Sequence, residues 1–127
     1  MTAPATGRTA PQREDDADER LGRTRVNVPV ELGTPTGRTG GVARNVGLGG
    51  LFVATPQPLP VGDRVTVQVS DPDGGGVDQI GAEVRWTRAA DGGERRPAGM
   101  GLSFIEPLLE VAVFVRVVLK AHARPRG

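Results

Sequence analysis

Residues 44–70, RNVGLGGLFVATPQPLPVGDRVTVQVS, carry the pattern from which the fold is read. At their end RVTVQVS (64–70) alternates without a break. Val65, Val67 and Val69 fall on one side and Arg64, Thr66 and Gln68 on the other, which is the period of a half-buried strand. Ahead of it, Leu51 to Val53 within LFVAT form an apolar run of strand length, and the glycine-dense GLGG (47–50) separates that run from VARNV (42–46). Two strands therefore meet at a glycine turn. PQPLPVGD (56–63) then connects LFVAT to RVTVQVS as a loop.

Outward from this stretch the pattern repeats. Toward the N-terminus RVNVPVEL (25–32) sets Val26, Val28, Val30 and Leu32 against Asn27, Pro29 and Glu31, a further strand. Pro29 lacks a ladder donor and predicts an edge strand or a bulge there. GTPTGRTGG (33–41) reads as turn material. Toward the C-terminus DPDGGG (71–76) has hairpin-loop length, VDQIGAEVRWT (77–87) is a strand with Ile80, Ala82, Val84 and Trp86 on one face, AADGGERRPA (89–98) is an exposed loop and GMGLSF (99–104) is a last strand. Six strands punctuated by Gly and Pro must close or fold over to protect their edges, which at this size means an all-β barrel or sandwich.

The final stretch EPLLEVAVFVRVVLKAHARP alternates like a strand at Val111, Val113, Val115, Val117 and Leu119, while Leu108, Val111, Ala112, Val115, Val118 and Leu119 fit helical spacing. Length decides for one α-helix over about 106–122. Pro107 suits a first turn, Glu110 the N-terminal end of the dipole, and Lys120 and His122 its C-terminal end. Val113, Phe114 and Val117 are left over once one face meets the barrel. Either they form a second contact, with a partner protein or a second copy of the chain in a homodimer, or a deep groove in the same domain covers them.

The whole chain has 127 residues, of which 19 are Gly and 11 Pro, enough for one small core. Residues 1–19 carry a net charge of −3, with almost nothing large and apolar, and read as a flexible acidic tail; the domain then spans 20–122, with 123–127 a second tail. Fifteen of the sixteen basic residues are Arg. With no Cys and a single His, at 122, thiol chemistry and zinc clusters are excluded, and no metal or cofactor is expected. Leu108–Leu119 is too short to span a bilayer, and the start MTAPATGRTAPQ lacks the apolar region of a signal peptide, so the expected location is the cytoplasm, without membrane insertion.

The order of these features, RVNVPVEL, then RNVGLGGLFVATPQPLPVGDRVTVQV, AEVRWT, PAGMGLSF and a terminal helix, resembles the PilZ domain family over roughly residues 20–119. The resemblance implies a small six-stranded antiparallel β-barrel with one C-terminal α-helix. It further implies a receptor for the bacterial second messenger cyclic di-GMP, which signals by ligand-dependent protein interaction. The family reads its ligand with an RxxxR stretch before the first strand and a [D/N]xSxxG turn. Carried onto this chain, the second Arg is Arg25, the position of the first is Leu21, Asn45 matches the D/N position, Gly50 the final Gly, and the Ser position is Gly47. The implied ligand residues are thus Arg20, Arg23, Arg25, Asn45, Gly47 and Gly50.

The chemistry behind the pattern is direct. The ligand is a dianion with guanine faces. Arginines supply paired donors and a flat cation, and the turn supplies an amide and close main-chain approach. The missing Arg and Ser together weaken binding by on the order of a hundredfold if each lost hydrogen bond costs about 1–3 kcal/mol and nothing compensates. Arg20, Arg23 and Arg44 are near enough to make up part of the loss, Arg20 by a one-residue shift.

Bland readings stand beside these. Asn45 and the glycines serve a turn without any ligand, Arg25 is a strand terminus, Trp86 is core and His122 complements a helix dipole. Other functions compete as well. An enzyme would need a nucleophile and a base, yet the only serines are Ser70 and Ser103 and no GxSxG or HExxH occurs. A barrel binding single-stranded nucleic acid would need exposed aromatics, whereas Phe52, Trp86, Phe104 and Phe114 all sit in apolar runs. The stronger alternative is a PilZ adaptor that has lost the nucleotide and works through protein contacts alone.

Overall fold

The computed structural model describes residues 22–89 and 97–124. The expected tail 1–19, Arg20, Leu21, residues 90–96 of the expected loop and residues 125–127 lie outside the described residues. Among these residues six strands, β1 (Thr24–Thr34), β2 (Gly37–Val46), β3 (Gly50–Ala54), β4 (Arg64–Ser70), β5 (Val77–Arg88) and β6 (Gly99–Phe104), precede one helix, α1 (Leu108–Ala123). The strands close into a barrel in the order β1-β2-β3-β6-β5-β4, and every pairing is antiparallel. Closure leaves no long edge exposed, the outcome that six short amphipathic strands require.

The alternating valines explain the core. Val26, Val28, Val30 and Leu32 of β1 meet Val65, Val67 and Val69 of β4 and Ile80, Ala82 and Val84 of β5, all buried. Pro29 is accommodated in two ways. The β1–β4 ladder covers only Glu31–Gly33 against Gln68–Thr66, beyond Pro29, and the β1–β2 register slips between Arg25 and Val28, just before it.

Three expectations are corrected. GTPTGRTGG (33–41) is not one long turn: β1 runs to Thr34 and β2 starts at Gly37, so only Pro35 and Thr36 turn. Thr34 Oγ1 closes the hairpin, accepting from the Thr36 N–H at 3.3 Å and donating to the Gly37 carbonyl at 3.0 Å. Within β2, Gly41 sits where strands approach closely, since a Cβ there would lie 2.6 Å from Val53 Cγ1.

Secondly, Trp86 is outside the main core. The β5–β6 register slips between Val84 and Trp86, which takes the indole out of phase with Ile80, Ala82 and Val84.

Thirdly, the apolar stripe of α1 is turned relative to its expected place: Val111, Phe114, Val115, Val117 and Val118 are buried. The exposed large apolar residues of the helix are Leu108, Leu109, Val113 and Leu119. Phe114 and Val117, expected on the free face, lie against the barrel, with Phe114 edge-on to Phe104 at 5.9 Å between centroids. Pro107 is the N-cap, one position before the helix, and its carbonyl accepts the Val111 N–H.

The far end of α1 is tied to the barrel by charge. Lys120 Nζ contacts Asp73 at 2.9 Å and Asp71 at 3.5 Å, and Arg124 also pairs with Asp73. The hydrogen bond from Lys120, with the charges of Arg124 and Lys120 added, holds the Asp73 carboxyl below its usual value. The same bond to Asp73 holds the Lys120 ammonium above its own. Next to this latch His122 Nδ1 accepts the Asn27 N–H at 3.1 Å, so the helix end caps β1 where that strand has no β4 partner.

Candidate ligand site on the barrel surface

The register of β1 on β2 brings the two motif elements together. Thr24 pairs with Val46 and Arg25 with Asn45, so the arginine-bearing entry to β1 runs alongside the turn that joins β2 to β3. That turn is closed by the Gly47 N–H donating to the Gly50 carbonyl at 2.9 Å. Asn45 is 2% exposed, and its Oδ1 accepts both the Phe52 N–H at 3.2 Å and Arg23 Nη1 at 3.3 Å. One amide oxygen therefore ties the pre-strand segment to two strands.

Gly47 has a steric reason to be glycine. A Cβ there would lie 2.8 Å from Arg23 Cγ and 3.3 Å from Arg23 Cα and from the Gly22 carbonyl oxygen. The segment lies on the turn because the position expected to carry a serine carries no side chain. Gly50 is glycine for a different reason, since a Cβ would overlap the Leu102 carbonyl oxygen of the neighbouring β6. Its place is in barrel closure. Arg23 is half-buried and Arg25 exposed. Of the expected ligand residues the structure gathers Arg23, Arg25, Asn45 and Gly47 at one point, with Gly50 at the start of β3; Arg20 lies outside the described residues.

A second feature of this face escapes sequence reasoning. Asn45 pairs with Phe52, Phe52 with Gly101, and Gly101 with Trp86, one row across four strands. Leu51 and Val53 join the core, while Phe52 between them is fully buried on the other side. It is stacked on Trp86 at 5.3 Å and covered by the Arg88 guanidinium 4.8 Å from its ring centroid. The rings lie flat on β6 because side chains at Gly99 and Gly101 would overlap Phe52 and Trp86. Arg88, a buried cation held by a 3.0 Å hydrogen bond from Nε to the Pro97 carbonyl, was not expected to be internal. The signal was its spacing of two from Trp86, which places both on one face of β5.

On this face guanidinium groups lie beside a buried amide oxygen, the donor chemistry that an anion would need. Among the described residues no cluster of His, Asp or Glu could hold a metal ion, and no helix is long and apolar enough to cross a membrane.

Comparison with known proteins agrees with this geometry. No curated protein matches the sequence. Among solved structures, the PilZ domain of CeSA from a cellulose-synthesizing bacterium is 22% identical, with a TM-score of 0.55 over 77% of this chain and 95% of that one. The PilZ domain of YcgR from Escherichia coli with c-di-GMP is 17% identical, with a TM-score of 0.58 over 80% of this chain and 91% of that one. The Bacillus subtilis inhibitor of motility MotI/DgrA is 16% identical, with a TM-score of 0.58 over 82% of this chain and half of that one. These likenesses show the fold. The family model described as PilZ domain matches residues 14–119, through both motif elements and the whole barrel, and the chain belongs to the PilZ domain family.

Proposed function

We propose that this chain is a regulatory, non-catalytic domain that captures cyclic di-GMP with Arg20, Arg23, Arg25 and the Asn45–Gly50 turn and signals through a protein contact. The observation that carries the reading is the Arg23–Asn45 hydrogen bond across Gly47, by which both ligand-reading elements of the family already touch. In support, the structure of the YcgR PilZ domain, which shares the fold, is one with c-di-GMP. The proposed place of action is the cytoplasm.

The mechanism follows from what must change. Arg23 Nη1 donates to a neutral amide oxygen, and a phosphate is a stronger acceptor for that donor. Capture of the dianion re-aims Arg23 and fixes Arg25 beside the turn. Gly22 and Arg23 then settle in a new position on Gly47, altering the surface shown to a partner. Exposed apolar residues of α1, Leu108, Leu109 and Val113, supply the proposed contact, with a partner protein or a second copy of the chain.

A second reading rests on a specific observation: Leu109 is 78% exposed, and the motif serine is absent. That is the adaptor that binds protein and no nucleotide. Nucleic acid is not proposed, because Phe52 and Phe114 are buried and Trp86 is stacked on Phe52. Calorimetric titration with cyclic di-GMP, with cyclic di-AMP as the guanine control, separates the two. Heat with the first alone supports the receptor; no heat with either leaves the adaptor.

A further inference from the structure

β2 departs from regular pairing with β3 at one place, and that place is Arg44. Val53 of β3 pairs with Ala43 and Phe52 pairs with Asn45, so Arg44 is the extra residue of a bulge. The slip resets the in–out alternation. Ala43 and Val46 both join the core, leaving Arg44 and Asn45 as consecutive residues that do not. A bulge interrupts the ladder, and proteins use it to re-aim a side chain. In β2 the re-aimed side chain is a guanidinium beside the amide at the centre of the site.

The neighbouring arginines are engaged while this one is not. Arg23 donates to Asn45, and Arg25, the cross-strand partner of Asn45, also has protein interactions. Arg44 is exposed and, among the described residues, has no hydrogen-bond or ion-pair partner. An exposed guanidinium with five free donors, next to an anion site, completes that site at no cost in broken protein contacts.

We propose that Arg44 is a further ligand-binding residue of this site, adding a guanidinium from β2 that offsets the leucine at the first arginine position of the motif. The inference rests on the nucleotide-receptor reading above. Bound there, Arg44 donates paired hydrogen bonds to a phosphate oxygen or a guanine edge from the β2 side while Arg25 acts from the β1 side. The ligand is held between two strands as well as by the pre-strand segment.

The test is calorimetric titration of cyclic di-GMP into the full chain, Arg44→Ala, Arg44→Gln and, as a control, Arg64→Ala, an exposed arginine at the start of β4. Loss of charge-assisted hydrogen bonds predicts about a tenfold to hundredfold weaker affinity in both Arg44 variants. Arg64→Ala binds like the parent, and all melting temperatures stay the same. Parent affinity in either Arg44 variant overturns this assignment and leaves the receptor reading standing. A parent chain that does not bind overturns both.

Discussion

Asn45 has two duties that substitution can separate. Its buried oxygen serves the Phe52 backbone N–H as well as Arg23, so Asn45→Ala strands a buried donor and costs about 1–3 kcal/mol in chemical denaturation. Arg25→Ala changes an exposed side chain, and its melt stays within about 0.5 kcal/mol of the parent. Equal destabilisation by the two would contradict this division between a buried structural amide and an exposed ligand arginine. Gly101 makes a similar point on the aromatic row. Gly101→Ala drives a methyl into the indole of the chain's single Trp, costing about 1–3 kcal/mol by overpacking and shifting the emission of Trp86. An unchanged emission spectrum would place the ring elsewhere. The motif spacing marked Asn45, Gly47 and Arg25 in advance. What it could not reveal is why position 47 lacks a serine, because the reason is Arg23 lying on it, a contact between residues far apart in sequence. Arg44 was legible as a nearby cation; its bulge was not, since a register slip is a property of two strands together.

The helix carries its lesson in its valines. With apolar residues on every side of 108–119, spacing alone admitted several faces, and the expected free residues Phe114 and Val117 proved to be the packed ones. Packing against β1, β4 and β5 selects Val111, Phe114, Val115 and Val118, and the bulky ring at 114 also meets Phe104 at the end of β6. Phe114→Ala therefore costs about 3–5 kcal/mol, whereas Leu109→Ala stays within about 0.5 kcal/mol; urea melts compare them. The latch at the helix end is pH-dependent with a definite sign. Asp73 titrates below its usual value, so its contribution is present above the ordinary carboxylate range and is lost as the pH falls through the lowered folded value. Lys120 titrates above its usual value, so its contribution holds below the ordinary lysine range and is lost as the pH rises through the raised one. Thermal melts across pH should show a small acid-side loss that Asp73→Asn removes. An acid limb unchanged in that variant would mean that the pair with Lys120 and Arg124 contributes nothing. By contrast β4 was readable outright, because strict alternation at 64–70 leaves one possible inner face.

At the scale of the molecule, six strands separated by Gly and Pro were enough to expect closure, and the barrel closes in the order that antiparallel neighbours allow. The glycines confused the hairpin at 33–41 for the same reason that they build the barrel. A glycine in this chain serves close approach of strands, as at Gly41, Gly50, Gly99 and Gly101, and not only a turn. The face built by that closure places the entry to β1, the β2 bulge and the β2–β3 turn side by side, and the proposed function depends on that face being a nucleotide site. The most direct measurement is calorimetric titration of cyclic di-GMP into the parent chain beside Arg25→Ala. Micromolar or tighter binding that disappears in the variant, while the variant melts like the parent, is the predicted result. No heat at high ligand concentration, or equal affinity in the two proteins, would contradict it.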